Sequence, residues 1–215
     1  MISRRYNLTS SILKNILRNH ITTREVKMKS AYKSFVLLVM FFSAVITTSG
    51  QKAENFKLKD YNGKEYRLSD FKDSKAIVIM FIATQCPVSN AYNSRMIELY
   101  KDYKDKGVSF VGINSNKQES VEEIKEHAKE NGFEFVILKD EKNVIADKFG
   151  ASVTPEIYVL NGDFEILYHG RIDDSRKEDE VKTHDLRVAL DEILAGKKVS
   201  NPKTKAFGCT IKRVN

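Results

Sequence analysis

Apolar positions fall in short blocks along residues 51–215, and the spacing changes from block to block. The run Ala76-Ile77-Val78-Ile79-Met80-Phe81-Ile82 is continuous, rich in β-branched residues and bounded by polar ones, which reads as a buried strand over 76–82. Met96, Leu99, Tyr100 and Tyr103 then recur at helical spacing and predict a helix from about Pro87 to Lys104. Val108 to Ile113 is the next strand. Ser120 and Glu123 form a capping box that opens a helix ending near Asn131-Gly132. Phe135 to Leu138 reads as a short strand, and Asn143 to Phe149 as a short helix closed by Gly150. Two hairpins are expected. Phe56–Lys59 and Tyr66–Leu68 flank Asn62-Gly63, while Glu156–Leu160 and Phe164–Tyr168 flank Asn161-Gly162, each a two-residue turn signal. A last helix runs from about Thr183 to Leu194 and stops at Gly196. Strand–helix–strand units followed by a hairpin and a helix imply a mixed sheet covered on both faces.

The chemistry concentrates at Cys86, where the buried strand gives way to a helix. Pro87 suits the first helical position, because its missing N–H is not needed there. Unpaired N–H groups and the helix dipole favour negative charge at that end, so a cysteine there ionises below its free value of about 8.5. The competing reading is a buried structural cysteine.

Charge divides unevenly. The whole chain has 36 Lys/Arg and 29 Asp/Glu, but residues 1–50 hold eight basic residues against Glu25 alone, leaving 28 of each sign beyond. A balanced domain offers no basic footprint for nucleic acid. Residues 1–50 instead have the order of a signal peptide: a basic stretch ending at Lys29 and Lys33, an apolar run Phe35–Ile46, then Thr48 and Gly50 before a cleavage at Gln51. The run is shorter than the roughly 20 residues a membrane span needs. An uncleaved anchor is the alternative, and with it the only expected membrane contact. Either reading places the domain outside the cytoplasm, in the periplasm or the extracellular space. Met28 begins an ordinary basic n-region, so residues 1–27 are expected to reflect the choice of start site. No cysteine follows the apolar run at a lipid-attachment position. Cys86 and Cys209 are the only two in the chain, and in an exported protein both are open to redox work.

Cys86 at a strand-to-helix junction, with Val153-Thr154-Pro155 opening a later strand and hairpin, resembles the thioredoxin fold. More closely, the span from about Gln51 to Asn215 resembles the peroxiredoxin-like branch of the AhpC/TSA (redoxin) superfamily. The resemblance is carried by Cys86-Pro87-Val88-Ser89-Asn90-Ala91-Tyr92-Asn93, Gly112-Ile113-Asn114-Ser115-Asn116, Gly170-Arg171-Ile172-Asp173-Asp174 and Gly208-Cys209-Thr210-Ile211-Lys212-Arg213. It implies an α/β protein with a central mixed β-sheet flanked by helices and an N-terminal β-hairpin, the redoxin domain at 51–200 and a tail at 201–215. It also implies that Pro155 is cis and that Thr154 and Pro155, with Gln85 and Pro87, form the substrate wall facing Cys86. A trans proline at the start of an edge strand is the alternative.

Three departures from related patterns narrow the activity. Ser89 stands where thioredoxins carry their second cysteine. Ile79 and Ala83 occupy the positions of the peroxiredoxin P-x-x-x-T-x-x-C motif, and Pro155 falls where a peroxide-holding arginine would be sought. Ile82 replaces the first cysteine of the copper-chaperone C-x-x-x-C-P motif. Cys209, in a tail with Gly208 for flexibility and Lys212 and Arg213 to favour thiolate, has three readings: a resolving cysteine, a static disulfide partner of Cys86, or an idle or intermolecular thiol. His169, Arg171, Asp173, Asp174 and His184 lack metal-ligand spacing, so no metal is expected. Asn90, Tyr92, Asn93 and Arg95 line the pocket or merely pack and cap. The expectation is a thiol-disulfide oxidoreductase acting through Cys86, without a dissociable cofactor. Its partners are a disulfide or peroxide substrate and a reducing thiol protein or small thiol. A thiol peroxidase, and a non-enzymatic copper(I) or peptide-binding protein using Cys86, Cys209 and His169, remain the alternatives.

Overall fold

The computed structural model describes residues 51–214. The leader, its cleavage at Gln51 and the Met28 start lie outside the described residues. Strands β1 (Lys57–Asp60), β2 (Glu65–Arg67), β3 (Ala76–Phe81), β4 (Val108–Asn114), β5 (Val136–Lys139), β7 (Glu156–Leu160) and β8 (Ile166–Gly170) form one mixed sheet in the order β2-β1-β5-β4-β3-β7-β8. Pairings β3–β4 and β4–β5 are parallel; β3–β7, β7–β8, β1–β5 and β1–β2 are antiparallel. The opening hairpin thus extends the sheet beyond β5. A separate two-stranded ribbon joins β6 (Val153–Thr154) to β9 (Cys209–Thr210).

Alternation along β3 explains its uninterrupted burial, because each face meets its own core. Ala76, Val78 and Met80 pack with Met96, Leu99 and Tyr103 of α2 (Asn93–Tyr103), Ile124 and Ala128 of α3 (Val121–Asn131), and Leu186, Ala189 and Leu190 of α5 (Asp185–Leu194). Ile77, Ile79 and Phe81 pack on the other side with Phe56, Leu68, Tyr158 and Ile145, Ala146 and Phe149 of α4 (Val144–Phe149). A strand buried on both faces reads as apolar throughout, which is what the 76–82 block showed.

Local signals near the termini of elements held well in some places. Ser120 accepts from the Glu123 amide while Glu123 Oε2 accepts from the Ser120 amide, and Gly132 closes α3 in the left-handed region. Elsewhere tertiary contacts shifted them. The helix expected over Pro87–Lys104 is two helices, α1 (Pro87–Asn90) and α2, joined through Ala91 and Tyr92. The break coincides with a buried ion pair. Arg95 Nη1 donates to Asp173 Oδ2 at 2.6 Å and Nη2 to the Ala91 carbonyl at 2.9 Å, with the guanidinium 3.7 Å over the Tyr92 ring. Arg95 and Tyr92 are therefore packing residues, and capping and packing account for them.

Both hairpins differ from the expected two-residue turns in the same way. Asp60 Oδ1 accepts from the amides of Asn62 and Lys64, and Asn161 Oδ1 accepts from those of Asp163 and Glu165. Each side chain caps a three-residue loop whose last residue has positive φ, Gly63 (+82°) in one and Phe164 (+67°) in the other. Gly162 is needed for a different reason: a Cβ there would sit 2.5 Å from the Lys72 carbonyl oxygen. The extra loop residue also moves the start of β8 to Ile166.

Candidate active site

Cys86 is the N-cap of α1, with extended backbone angles and Pro87 at the first helical position. Its Sγ accepts from the Ser89 amide at 3.2 Å and lies 3.3 Å from the Thr154 carbonyl oxygen. An N–H aimed at sulfur stabilises the thiolate over the thiol. Ser89, where thioredoxins have a second cysteine, is buried, and its hydroxyl accepts from the Ala83 amide at 3.2 Å. It ties the end of the strand to the first helical turn.

The peptide bond between Thr154 and Pro155 is cis. Facing it, the chain's own C-terminal segment runs antiparallel to β6, with Val153 opposite Thr210 and Thr154 opposite Cys209. Cys86 and Cys209 are joined as a disulfide across a Cα–Cα distance of 5.9 Å. Cys86 is only 4% exposed, and Cys209 is half-buried. The structure thus brings together Cys86, Cys209, Thr154 and Pro155. Pro87 is exposed beside them, while the Gln85 side chain is spent on Glu123 Oε1 at 2.9 Å.

The tail is not the loose appendage expected from Gly208. Ile211 is buried in the core with α4, and its amide donates to the Ser152 carbonyl. Lys212 N donates to Asn116 Oδ1 at 2.8 Å, Lys117 N to the Lys212 carbonyl at 3.0 Å, and Val214 N to Asn143 Oδ1 at 2.6 Å. Gly208 serves close approach instead: a Cβ on it would collide with the Thr154 carbonyl group.

Beneath the cysteine loop lies a polar network that the sequence did not announce. Glu119 is 2% exposed. Its carboxylate accepts from the amides of Thr84 (2.8 Å) and Gln85 (3.1 Å) and from Asn114 Nδ2 (2.5 Å) and Asn116 Nδ2 (3.3 Å). Lys139 Nζ donates to Asn114 Oδ1 and to the carbonyls of Asn116 and Glu119. Burial pushes the Lys139 ammonium below its ordinary range, while the Glu119 carboxylate opposes the shift. The one legible hint was the Gly112–Asn116 motif, which supplies two of these asparagines. On the other side, Glu156 Oε2 accepts from the Ser152 and Val153 amides and so holds β6, while Oε1 meets His169 Nε2 at 2.7 Å. Burial would raise the Glu156 carboxyl, but these bonds together hold it below the usual carboxylate range.

Four of the polar side chains singled out from the sequence are committed to internal partners: Arg171 to Asp185, Asp173 to Arg95, His169 to Glu156, and Asp174 to the amides of Lys182 and Thr183. Among the described residues no group of three or more His, Cys, Asp or Glu is placed to hold a metal ion. Ile79 lies in the core beneath the sheet and Ala83 is buried, so neither contributes a polar group to a peroxide site.

Residues 49–175 match the AhpC/TSA family. The chain belongs to that family. Among curated relatives, it is similar to the thiol-disulfide oxidoreductase ResA of Halalkalibacterium halodurans, 27% identical over 127 residues, covering 59% of this chain and 70% of that protein. A chloroplast protein of Oryza sativa subsp. indica named for peroxiredoxin Q is 29% identical over 133 residues, covering 58% of this chain and 60% of its own. The chain thus spans roughly two thirds of the length of the curated relatives it matches. An uncharacterized conserved protein from Geobacillus kaustophilus superposes with a TM-score of 0.72 at 36% identity, covering 78% of this chain and 93% of that structure. The thioredoxin-like, mixed-sheet fold expected from the motifs is the observed one. No helix among the described residues is long and apolar enough to cross a membrane.

Proposed function

We propose that this chain is an exported thiol-disulfide oxidoreductase of the redoxin type, with Cys86 as nucleophile and Cys209 as resolving cysteine. The observation that carries the reading is a disulfide between the N-cap of a helix and a strand lying directly on the cis-proline segment. In the reduced protein the Cys86 thiolate attacks one sulfur of a substrate disulfide and expels the other as thiolate. Cys209 thiolate then attacks Cys86 Sγ, the second substrate thiolate leaves, and the protein retains the disulfide. A dithiol reductant resets the pair. Thr154 and Pro155 seat the substrate beside Cys86, with Pro87 and Gln85 at the rim. Family membership and the ResA likeness support the same chemistry, and export rests on the order of residues in the leader.

Peroxide reduction is the second reading, favoured by the likeness to a peroxiredoxin Q. Against it stands the apolar pair Ile79 and Ala83, which offers a peroxide no hydroxyl. Stopped-flow oxidation of the reduced full chain by hydrogen peroxide and by a disulfide, in wild type, Cys86→Ser and Cys209→Ser, separates the two. Rapid disulfide exchange that requires Cys86, with slow peroxide oxidation, is expected. Rapid peroxide oxidation with sulfenic acid accumulating in Cys209→Ser would establish the peroxidase instead.

A further inference from the structure

Beside Cys86, β9 occupies the main-chain edge of β6, its strand partner in a two-stranded ribbon. Thr210 and Cys209 pair with Val153 and Thr154, Gly208 lies against the Thr154 carbonyl, and Cys86 is almost wholly covered. β9 is also tethered on its far side by Ile211, Lys212 and Val214. A polypeptide disulfide that reaches Cys86 must displace β9 first, and a strand laid on β6 blocks its return.

We propose that Cys209 resolves by strand exchange: β9 and the extended segment of a polypeptide substrate compete for the same edge at Val153–Thr154. The Cys86–Cys209 bond forms as β9 expels the product from it. The inference rests on the thiol-disulfide reading. In the first step the substrate's S–S bond breaks, one sulfur bonds to Cys86 and the other departs as thiolate with the electron pair. In the second, Cys209 thiolate bonds to Cys86 Sγ, the Cys86–substrate bond breaks, and the remaining substrate sulfur leaves as thiolate while its strand leaves β6. The substrate gains two electrons and the protein loses two. Gly208 gates the second step, since any side chain there meets the Thr154 carbonyl and keeps β9 off the edge without altering the Cys209 thiol.

The test uses the reduced full chain and an extended cysteine peptide disulfide-linked to a chromogenic aromatic thiol. Release of that thiol reads the first step, and acid quench with intact-mass measurement reads the lifetime of the protein–peptide mixed disulfide. Gly208→Ala and Lys212→Pro, which removes the N–H bound by Asn116, each weaken the seating of β9. Both are expected to release the thiol no more slowly than wild type yet to prolong the mixed disulfide about tenfold, the scale of losing one or two hydrogen bonds. With the symmetric disulfide of 2-mercaptoethanol, which brings no strand, wild type should resolve faster than with the peptide. A wild-type mixed-disulfide lifetime in both variants, or in Lys212→Pro alone if Gly208→Ala releases no thiol, overturns strand exchange. Failure of Cys209→Ser to accumulate any mixed disulfide would instead sink the thiol-disulfide reading itself.

Discussion

Replacing Glu119 by alanine removes the acceptor on which the loop before Cys86 is hung. The amides of Thr84 and Gln85 and the Asn114 side chain, bonded at 2.8, 3.1 and 2.5 Å, lose their partner together in a site that is 2% exposed. A buried donor left unsatisfied costs about 1–3 kcal/mol, and a water admitted to the vacated space recovers part of it. The expected loss is therefore about 3–5 kcal/mol, a large share of the roughly 5–15 kcal/mol that holds a domain together. Glu119→Gln keeps one oxygen but turns an NH2 towards a backbone N–H, so it should cost an intermediate amount, about 1–3 kcal/mol. Equilibrium urea unfolding of the oxidised proteins measures both, with an unchanged denaturant slope as the check that the same transition is compared. Because Thr84 and Gln85 carry Cys86 into its N-cap position, the reduced Glu119→Ala protein should also react more slowly with a disulfide. A loss below about 1 kcal/mol in the alanine variant would refute the reasoning, since it would mean the network binds no better than water does.

Reduction of the Cys86–Cys209 bond opens a loop closed across 123 positions, which the chain-entropy account values at up to about 5 kcal/mol. Oxidised protein should therefore resist urea better than reduced protein or Cys209→Ser, and coincident transitions would contradict this. Arg95→Met strands the Asp173 carboxylate, 1% exposed, without its cation and should cost about 3–5 kcal/mol by thermal or urea unfolding. Burial lowers the pKa of His127, against the opposing pull of Glu119 and Glu130, so the unfolded chain takes up this proton at a higher pH than the folded one. Stability should fall as the pH drops from about 6.5 through the lower folded value, and His127→Gln should remove that component from urea midpoints compared at about pH 7.5 and about pH 5. Gly162→Ala, which forces a Cβ to 2.5 Å from the Lys72 carbonyl oxygen, should cost about 1–3 kcal/mol even though Gly162 has no positive φ. A neutral effect in unfolding experiments would show that the 72–74 segment yields freely.

The sequence by itself determined what neighbouring residues control. The apolar block at 76–82, Pro87 after Cys86, the Ser120–Glu123 capping box and the Gly132 and Gly150 stops act within a few residues of themselves, and each appears in place. The motifs by which the chain resembles redoxins likewise sufficed to expect the fold and to single out Cys86 and Cys209, although the family match itself covers residues 49–175. Only the tertiary structure decided the rest, because the deciding contacts are distant in sequence. The break between α1 and α2 coincides with the pairing of Arg95 to Asp173, 78 positions away. The Asn-Gly pairs allow two- or three-residue loops alike. The side-chain caps of Asp60 and Asn161 fix the longer form, and Gly162 answers to Lys72 rather than to its own turn. Glu119 carries no local signature, since an acid before a helix cap is ordinary until Thr84 and Gln85 fold onto it. Gly208 read as a hinge in one dimension and is a point of contact in three, where the chain's end lies on β6 and covers the cysteine it is bonded to.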